Sequence, residues 1–376
     1  MKRHRASLGE LCTLVKGISP IGKTPPGRYP LVTTGAARKS ADTFQFNTEA
    51  VCIPLISSTG HGHASLKRVH HQTGKFALAN LLAAALVKDR AALSPRFLAR
   101  YLNYAKDRLI VPLMTGAANM SISIERLATV PVEFPPLAKQ NRLVMLLDEA
   151  DELRTQRNQA DIAAATLVPA LFYEMFGDPS STDTRWPIVP LKTLGKVTTG
   201  NTPPRKNVNL FGNFIEWVKT DNIDATRGLV ARATEGLSKE GALQGRIVPA
   251  GTVLVTCIAG SRERLGDAAV SDRDVAINQQ INAITLNADS DSAFVCQQIG
   301  ALKGIIQNRA TGNMTGIINK TTLEAIPMIC PPRPRQQQFA ARVTQIRSLE
   351  TKQSASRQRL DDLFHSMLHR AFNGEL

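Results

Sequence analysis

The longest run of regularly spaced apolar positions lies in mid-chain. Within residues 137–178, Leu143, Leu146, Leu147, Ala150, Leu153, Ala160, Ala164, Leu167, Leu171 and Met175 follow the three- and four-residue steps of one helix face. The centre of this stretch, from Glu149 to Asp161, is polar and charged and leaves only a thin apolar seam. That is the pattern of a helix standing between two bodies, and Gly177, Asp178 and Pro179 close it. At 1.5 Å per residue the helix would be roughly 55–60 Å long. Residues 334–373 repeat the design, with Phe339, Val343, Ile346, Leu349, Leu360, Leu363, Phe364, Met367 and Phe372 as the stripe, a polar middle, and Gly374 at the end.

The likeness of the two helices belongs to a longer duplication. Aligning TGAANMSISIERLATVPVEFPPLAKQ (115–140) with TGNMTGIINKTTLEAIPMICPPRPRQ (311–336) sets Pro131 on Pro327 at an offset of 196. The same offset sets Leu127 on Leu323, Gln140 on Gln336 and Phe176 on Phe372. Nearer the start of each copy, GKTPP (22–26) matches GNTPP (200–204) at an offset of 178. Between these anchors FALANLLAAAL (76–86) matches VAINQQINAI (275–284), with Asn80 on Asn278 at an offset of 198. The second copy therefore gains residues near its start, around 205–245. Repeats of this kind decide the architecture before any local detail does.

Each half reads as a mixed body followed by a long helix. Short runs rich in Val, Ile and Thr, such as Gly251–Ile258 and Phe214–Lys219, are strands cut by Gly and Pro turns. The predicted fold class is α+β, with two tandem mixed α/β bodies joined by two long helices. Those helices form an antiparallel coiled coil with pseudo-two-fold symmetry. The predicted boundaries are 1–136 for the first body, 137–180 for the central helix, 181–332 for the second body and 333–376 for the C-terminal helix. The pairing seam is predicted at Leu143, Ala150, Leu153, Ala164, Leu167 and Leu171 on one helix, and at Phe339, Val343, Ile346, Leu360 and Phe364 on the other. The alternative is that each helix packs only on its own body.

Charge narrows the function. With 46 Lys+Arg against 31 Asp+Glu, the 376-residue chain carries a formal charge of +15, which calls for a polyanionic partner. The N-terminal MKRHRASLGE lacks the apolar core of a signal peptide, and the apolar run Phe76–Val87 is too short to span a bilayer. Nucleic acid is the expected partner, and a membrane is not. Cys12, Cys52, Cys257, Cys296 and Cys330 are widely separated and form no C-x-x-C pair, which suits a reducing cytoplasm and neither disulfides nor zinc.

Candidate catalytic motifs are few and weak. Gly17–Thr24 (GISPIGKT) satisfies the phosphate-loop pattern of a nucleoside triphosphatase, but Pro25-Pro26-Gly27 follow at once, where a helix would have to receive the phosphates. In the internal copy Lys23 is replaced by Asn201. His365 and His369 have the spacing of a zinc-protease helix, but Ser366 stands where its glutamate would be. His61, His63, His70 and His71 lie in one polar stretch without a set of metal ligands beside them. A methyltransferase would need an Asn/Asp-Pro-Pro-aromatic motif, and the paired prolines here stand in TPP, FPP and CPP.

With the duplication, VTTGNTPP (197–204), WVKTDNI (217–223), INQQINAI (277–284), the exit segment 311–332 and the two helices in view, the chain resembles the specificity subunit of a Type I restriction-modification system. The first body departs from this pattern by having YPLVTTGAAR (29–38) in place of WVKTDNI. The resemblance implies two target recognition domains, each reading one half of a split DNA sequence. It implies helices that set the unread gap and dock modification subunits. It also implies a non-catalytic, cytoplasmic DNA-binding protein that binds no cofactor of its own. S-adenosylmethionine, ATP and Mg are expected on the partners, which are double-stranded DNA, two modification (methyltransferase) subunits and restriction (translocase-nuclease) subunits. The alternatives are a related system whose partner is a fused methyltransferase-nuclease, or a P-loop NTPase using Gly17–Thr24.

Phosphate affinity comes from Lys and Arg, and base reading from amide, hydroxyl and guanidinium groups on loops. The candidates in the first body are Lys23, Thr24, Thr34, Arg38, Ser57, Ser58, His61, His63, Lys67, Arg68 and Asn119. In the second body they are Asn201, Thr202, Arg205, Lys206, Lys219, Thr220, Asn222, Arg262, Arg264 and Asn313.

Overall fold

The computed structural model describes residues 4–58, 64–116, 120–312, 316–373 and 375. The chain divides into a first unit of Met1–Gln156 with Arg357–Leu376, and a second unit of Arg157–Ser356. Among the described residues, the first unit has an antiparallel sheet ordered Cys12–Lys16, Leu82–Val87, Ala50–Pro54, His70–Gln72. A second sheet is ordered Lys39–Ala41, Tyr29–Val32, Lys75–Leu78, Phe46–Asn47, and its central pair is parallel.

Alternation along the strands explains why Phe76–Val87 reads as one apolar run. Val51, Ile53, Ala83 and Ala85 face a core shared with the helix Pro95–Leu109, whereas Ala50, Cys52, Leu82 and Ala84 face a second core shared with Leu31, Phe76 and Leu78. A sheet covered on both faces has no polar side to show.

The second unit repeats this plan and extends it. Among the described residues its larger sheet runs Gly195–Thr199, Ile281–Leu286, Val253–Thr256, Ala268–Val270, Leu229–Val230, Ile223–Asp224. The last two strands, and the short helix Lys239–Gln244, fall within the expected gain at 205–245.

Two of the internal alignments need correction. Val32 pairs in parallel with Leu78, and Val218 with Ile277, so the equivalent of Leu78 is Ile277 at an offset of 199. Asn80 therefore matches Gln279, not Asn278. Likewise the counterpart of Gly200 is Gly17, not Gly22. Gly17 N–H donates to Leu82 O (2.9 Å) and Gly200 N–H to Ile281 O (3.0 Å). A Cβ on Gly17 would lie 2.2 Å from Ala79 O, and on Gly200 2.1 Å from Asn278 O, so both strand exits require glycine. In the first unit Ile18–Gly22 intervene before the TPP segment, which is why matching by composition slipped.

The helices also differ in detail from the periodic reading. The first is broken into Leu137–Ala164 and Leu167–Phe176, while the second runs unbroken over Arg333–Asn373. Pro169 accounts for the break, since its ring conflicts with the carbonyl of Ala165 in a continuous helix. Its counterpart 196 residues later is His365, which imposes no such conflict. Gly177 follows the first helix with a positive φ of 80°, which favours glycine, while Gly374 lies outside the described residues.

Within each unit, segments of both helices pack antiparallel. In the first unit Leu143, Val144 and Leu147 share a core with Phe364, Ala371 and Phe372. Arg154 donates to Asp361 (2.7 Å), and its guanidinium lies 4.4 Å from the ring centre of Phe364. In the second unit Phe172 and Phe176 share a core with Phe339 and Val343, and Arg157 reaches Ser356 Oγ at 3.1 Å. The less exposed positions of the first helix step by four and three through Leu143, Leu147, Ala150, Arg154, Arg157, Asp161 and Ala164. Arg154 holds the seam position expected of its neighbour Leu153, and Arg157 holds one for which no residue is predicted. Of the expected pairing residues, Leu143, Phe339, Val343 and Phe364 are buried, and Ala150, Ala164, Leu171, Ile346 and Leu360 are half-buried. Leu153 (48% exposed) and Leu167 (50%) instead face solvent, as a correction to the predicted seam.

Candidate nucleic-acid interface

In the second unit Asn201, Arg205, Lys219 and Thr220 lie on the turns around the strand Phe211–Val218. Glu216 fixes that strand by accepting from Arg273 at 2.6 and 3.0 Å and from Ala233 N–H at 2.9 Å, and the arginine holds its carboxyl down at about 2. Thr202 Oγ1 donates to Gln279 Oε1 across the two turns. Lys219 pairs with Glu235, and Arg264 Nη2 donates to Thr220 O at 2.6 Å.

Two of the predicted contacts are occupied within the fold. Asn201 donates to Gln244 O (2.7 Å) and accepts from Arg246 N–H (2.9 Å). Asn222 accepts from Lys219 N–H (2.9 Å) and donates to Arg232 O (3.4 Å). Both amides shape their loops. Arg262 donates to Gln307 O at 3.0 Å, and Lys206 is exposed.

The first unit is more dispersed. Thr24 Oγ1 donates to Pro20 O (2.8 Å), Ser57 Oγ accepts from Ser65 N–H (3.1 Å), and Ser58 Oγ lies 2.6 Å from Ser65 Oγ. Arg38 donates to Gln72 Oε1 (2.9 Å) and meets His70 Nδ1 at 3.0 Å. Arg38 and Arg68 line one cleft with His70, Arg96 and Arg100, the last two ion-paired with Asp148. Among the described residues, the side chains of Lys23, Thr34, Lys67, Arg68 and Lys206 make no hydrogen bond or ion pair, so they are available to a ligand. His61, His63, Asn119 and Asn313 lie outside the described residues.

Sequence reasoning passed over Gln279 and Glu235, and it weighed His70 only as part of a polar stretch. Gln279 could have been found from the INQQIN turn, had the repeat been aligned one residue differently. Arg38 has only donors, so the His70 nitrogen facing it must accept, which fixes a neutral imidazole. Burial first, and then Arg38 and Arg68, push the His70 pKa from 6.5 down to about 4. The unfolded chain takes up this proton near 6.5 and the folded unit resists it until about 4, so stability is lost as pH falls through that window. Urea unfolding at stepped pH should show this loss, and His70→Phe should flatten it.

Gly17–Thr24 does not form a phosphate loop. After the strand Cys12–Lys16 come a turn and the irregular segment Pro25–Gly27, with no helix to follow. No group of three or more metal-ligating side chains is found among the described residues, and His365 and His369 lie exposed on their helix. No helix among the described residues is long and apolar enough to cross a membrane. Burial pushes the thiols of Cys12, Cys52 and Cys257 up to about 12, which leaves them unreactive at neutral pH.

Comparison with known proteins gives one answer at the level of family and fold. The family model for the Type I restriction modification DNA specificity domain matches twice, over residues 5–164 and 184–358. The specificity subunit of the Type I restriction enzyme HindI from Haemophilus influenzae is 25% identical over 196 residues, covering 51% of this chain and 42% of that relative. The crystal structure of a Type I restriction-modification S subunit from M. genitalium is similar over 99% of this chain and 96% of its own, with a TM-score of 0.63 at 14% identity. A structure from work on the assembly and conformational transition of the type I R-M system is similar over 100% and 98%, also with a TM-score of 0.63, at 16% identity. These two likenesses establish the shared fold of tandem domains joined by long helices. With both halves matched separately, the chain belongs to the Type I restriction modification DNA specificity family.

Proposed function

We propose that this chain is the DNA sequence-specificity subunit of a Type I restriction-modification complex. Each unit reads one half of a bipartite target, and the long helices set the unread gap and dock modification subunits. The observation that carries the reading is that the family model matches each internal copy separately, each copy having its own sheets, core and loop-borne polar groups. The charge of +15 supplies phosphate affinity.

In this reading the subunit is non-catalytic and works in the cytoplasm. Methyl transfer belongs to modification subunits carrying S-adenosylmethionine, and ATP- and Mg-dependent cleavage to restriction subunits. Exposed leucines at matching places on the two helices, Leu153 (48%) and Leu349 (59%), support a docking role for the helix surfaces.

The test is an insertion of four residues, about one helical turn, after Gln156. The number of unread base pairs is expected to change, or binding to be lost, with both half-sites keeping their bases. An altered base within a half-site contradicts the proposal.

A further inference from the structure

A carboxylate stands among the cations that the second unit offers to DNA. Glu235 is 47% exposed and ion-paired with Lys219, and Arg205 Nη2 lies 4.0 Å from its other oxygen. Both cations rest against one indole, with the Arg205 guanidinium carbon 5.4 Å and Lys219 Nζ 5.0 Å from the ring centre of Trp217. Trp217 is buried, its backbone N–H donates to Glu235 O (3.0 Å), and its Nε1–H reaches Asn201 O (3.4 Å). Three charged ends are thus gathered over a fixed platform. Lys219 holds the Glu235 carboxyl below the ordinary range, so it is ionised at neutral pH. In the first unit Leu31 stands at the place of Trp217 and Thr33 at that of Lys219, so the cluster is a property of the second unit.

A fixed negative charge on a surface that must attract phosphates lowers affinity for every duplex. Its gain is discrimination, because a cation already held by a carboxylate is released only to a ligand that competes well for it. We infer that Glu235 is a specificity-determining residue, which withholds Arg205 and Lys219 from the phosphates of unrelated DNA and yields them to the matching half-site. The inference rests on the second unit being a DNA reader.

Glu235→Gln keeps the shape and removes the charge. Binding of the full-length chain would be measured over a salt series, to a duplex carrying the target mapped from host methylation and to one of equal length without it. The variant is expected to bind the unrelated duplex about tenfold more tightly near 0.1 M salt, with a salt slope steeper by about one to two, as one or two added phosphate contacts give. Affinity for the target should rise less, so the ratio falls, and adding Arg205→Gln should reverse most of the gain. An unchanged ratio overturns the inference. So does a loss of target affinity confined to one base pair, which would make Glu235 a direct reader of a cytosine amino group. A wild-type chain that shows no preference for the mapped target would overturn the DNA-reading assignment as well, a result separable from the other two.

Discussion

Replacing Gln140 with leucine should destabilise the first unit by about 2–3 kcal/mol in denaturant unfolding, because one buried and two partly buried backbone groups lose their partner together. The Gln140 amide is fully buried. It donates to Ala92 O (2.8 Å) and Pro135 O (2.8 Å) and accepts from Ser94 N–H (2.8 Å). Ser94 caps the helix Pro95–Leu109, so one side chain ties the first turn of a long helix to the cap of the helix that covers the sheet. Gln336 repeats the device in the second unit, donating to Pro331 O (2.8 Å) and Asp289 O (3.4 Å) and accepting from Asp291 N–H (2.9 Å). Gln336→Leu should cost less than Gln140→Leu, since one of its bonds is long. Equal stability of either variant and wild type would show that these amides do not anchor the helices.

Truncating Phe172 to alanine should be the most damaging change in the second unit, by about 3–5 kcal/mol. Its ring is fully buried, stacks on Phe294 (centroids 5.6 Å) and meets Phe339 edge-on (5.7 Å) and Phe176 at 5.2 Å. Against a total stability of about 5–15 kcal/mol, such a loss should leave the segment Leu167–Phe176 open to limited proteolysis. Full protection of that segment in the variant would contradict the packing described. In the first unit the end of the second helix serves similarly, with Phe372 against Phe97 (5.7 Å) and Tyr104 (5.1 Å).

Long-period features were legible in the sequence because they repeat. The offset of 196 between Gln140 and Gln336 survives as a shared hydrogen-bonding device, and Phe176 and Phe372 each end against the helix that covers their unit's sheet. Register was less legible, because a match of one or two residue types cannot separate Asn278 from Gln279 when the strand pairing that decides between them is not local. The helix seam misled for a different reason. Apolar periodicity favours Leu153 over its neighbour Arg154, yet the polar middle is built from Arg154 and Arg157, whose long apolar stems fill seam positions while their heads find Asp361 and Ser356. Pro169 sits inside an apolar pattern whose periodicity continues on both sides of it, so the spacing alone does not show the break. Among the candidate contacts, Asn201 and Asn222 have the right chemistry for base reading but spend it on their own loops, which only coordinates can reveal.

The division of labour between the two units is tested most directly by exchanging residues 7–136 for the matching segment of a family member with a different target, then mapping the methylated positions in host DNA. The expected result is a target in which one half-site is replaced, while the other half-site and the gap are unchanged. Replacement of both half-sites, or of neither, would contradict the assignment of one half-site to each unit.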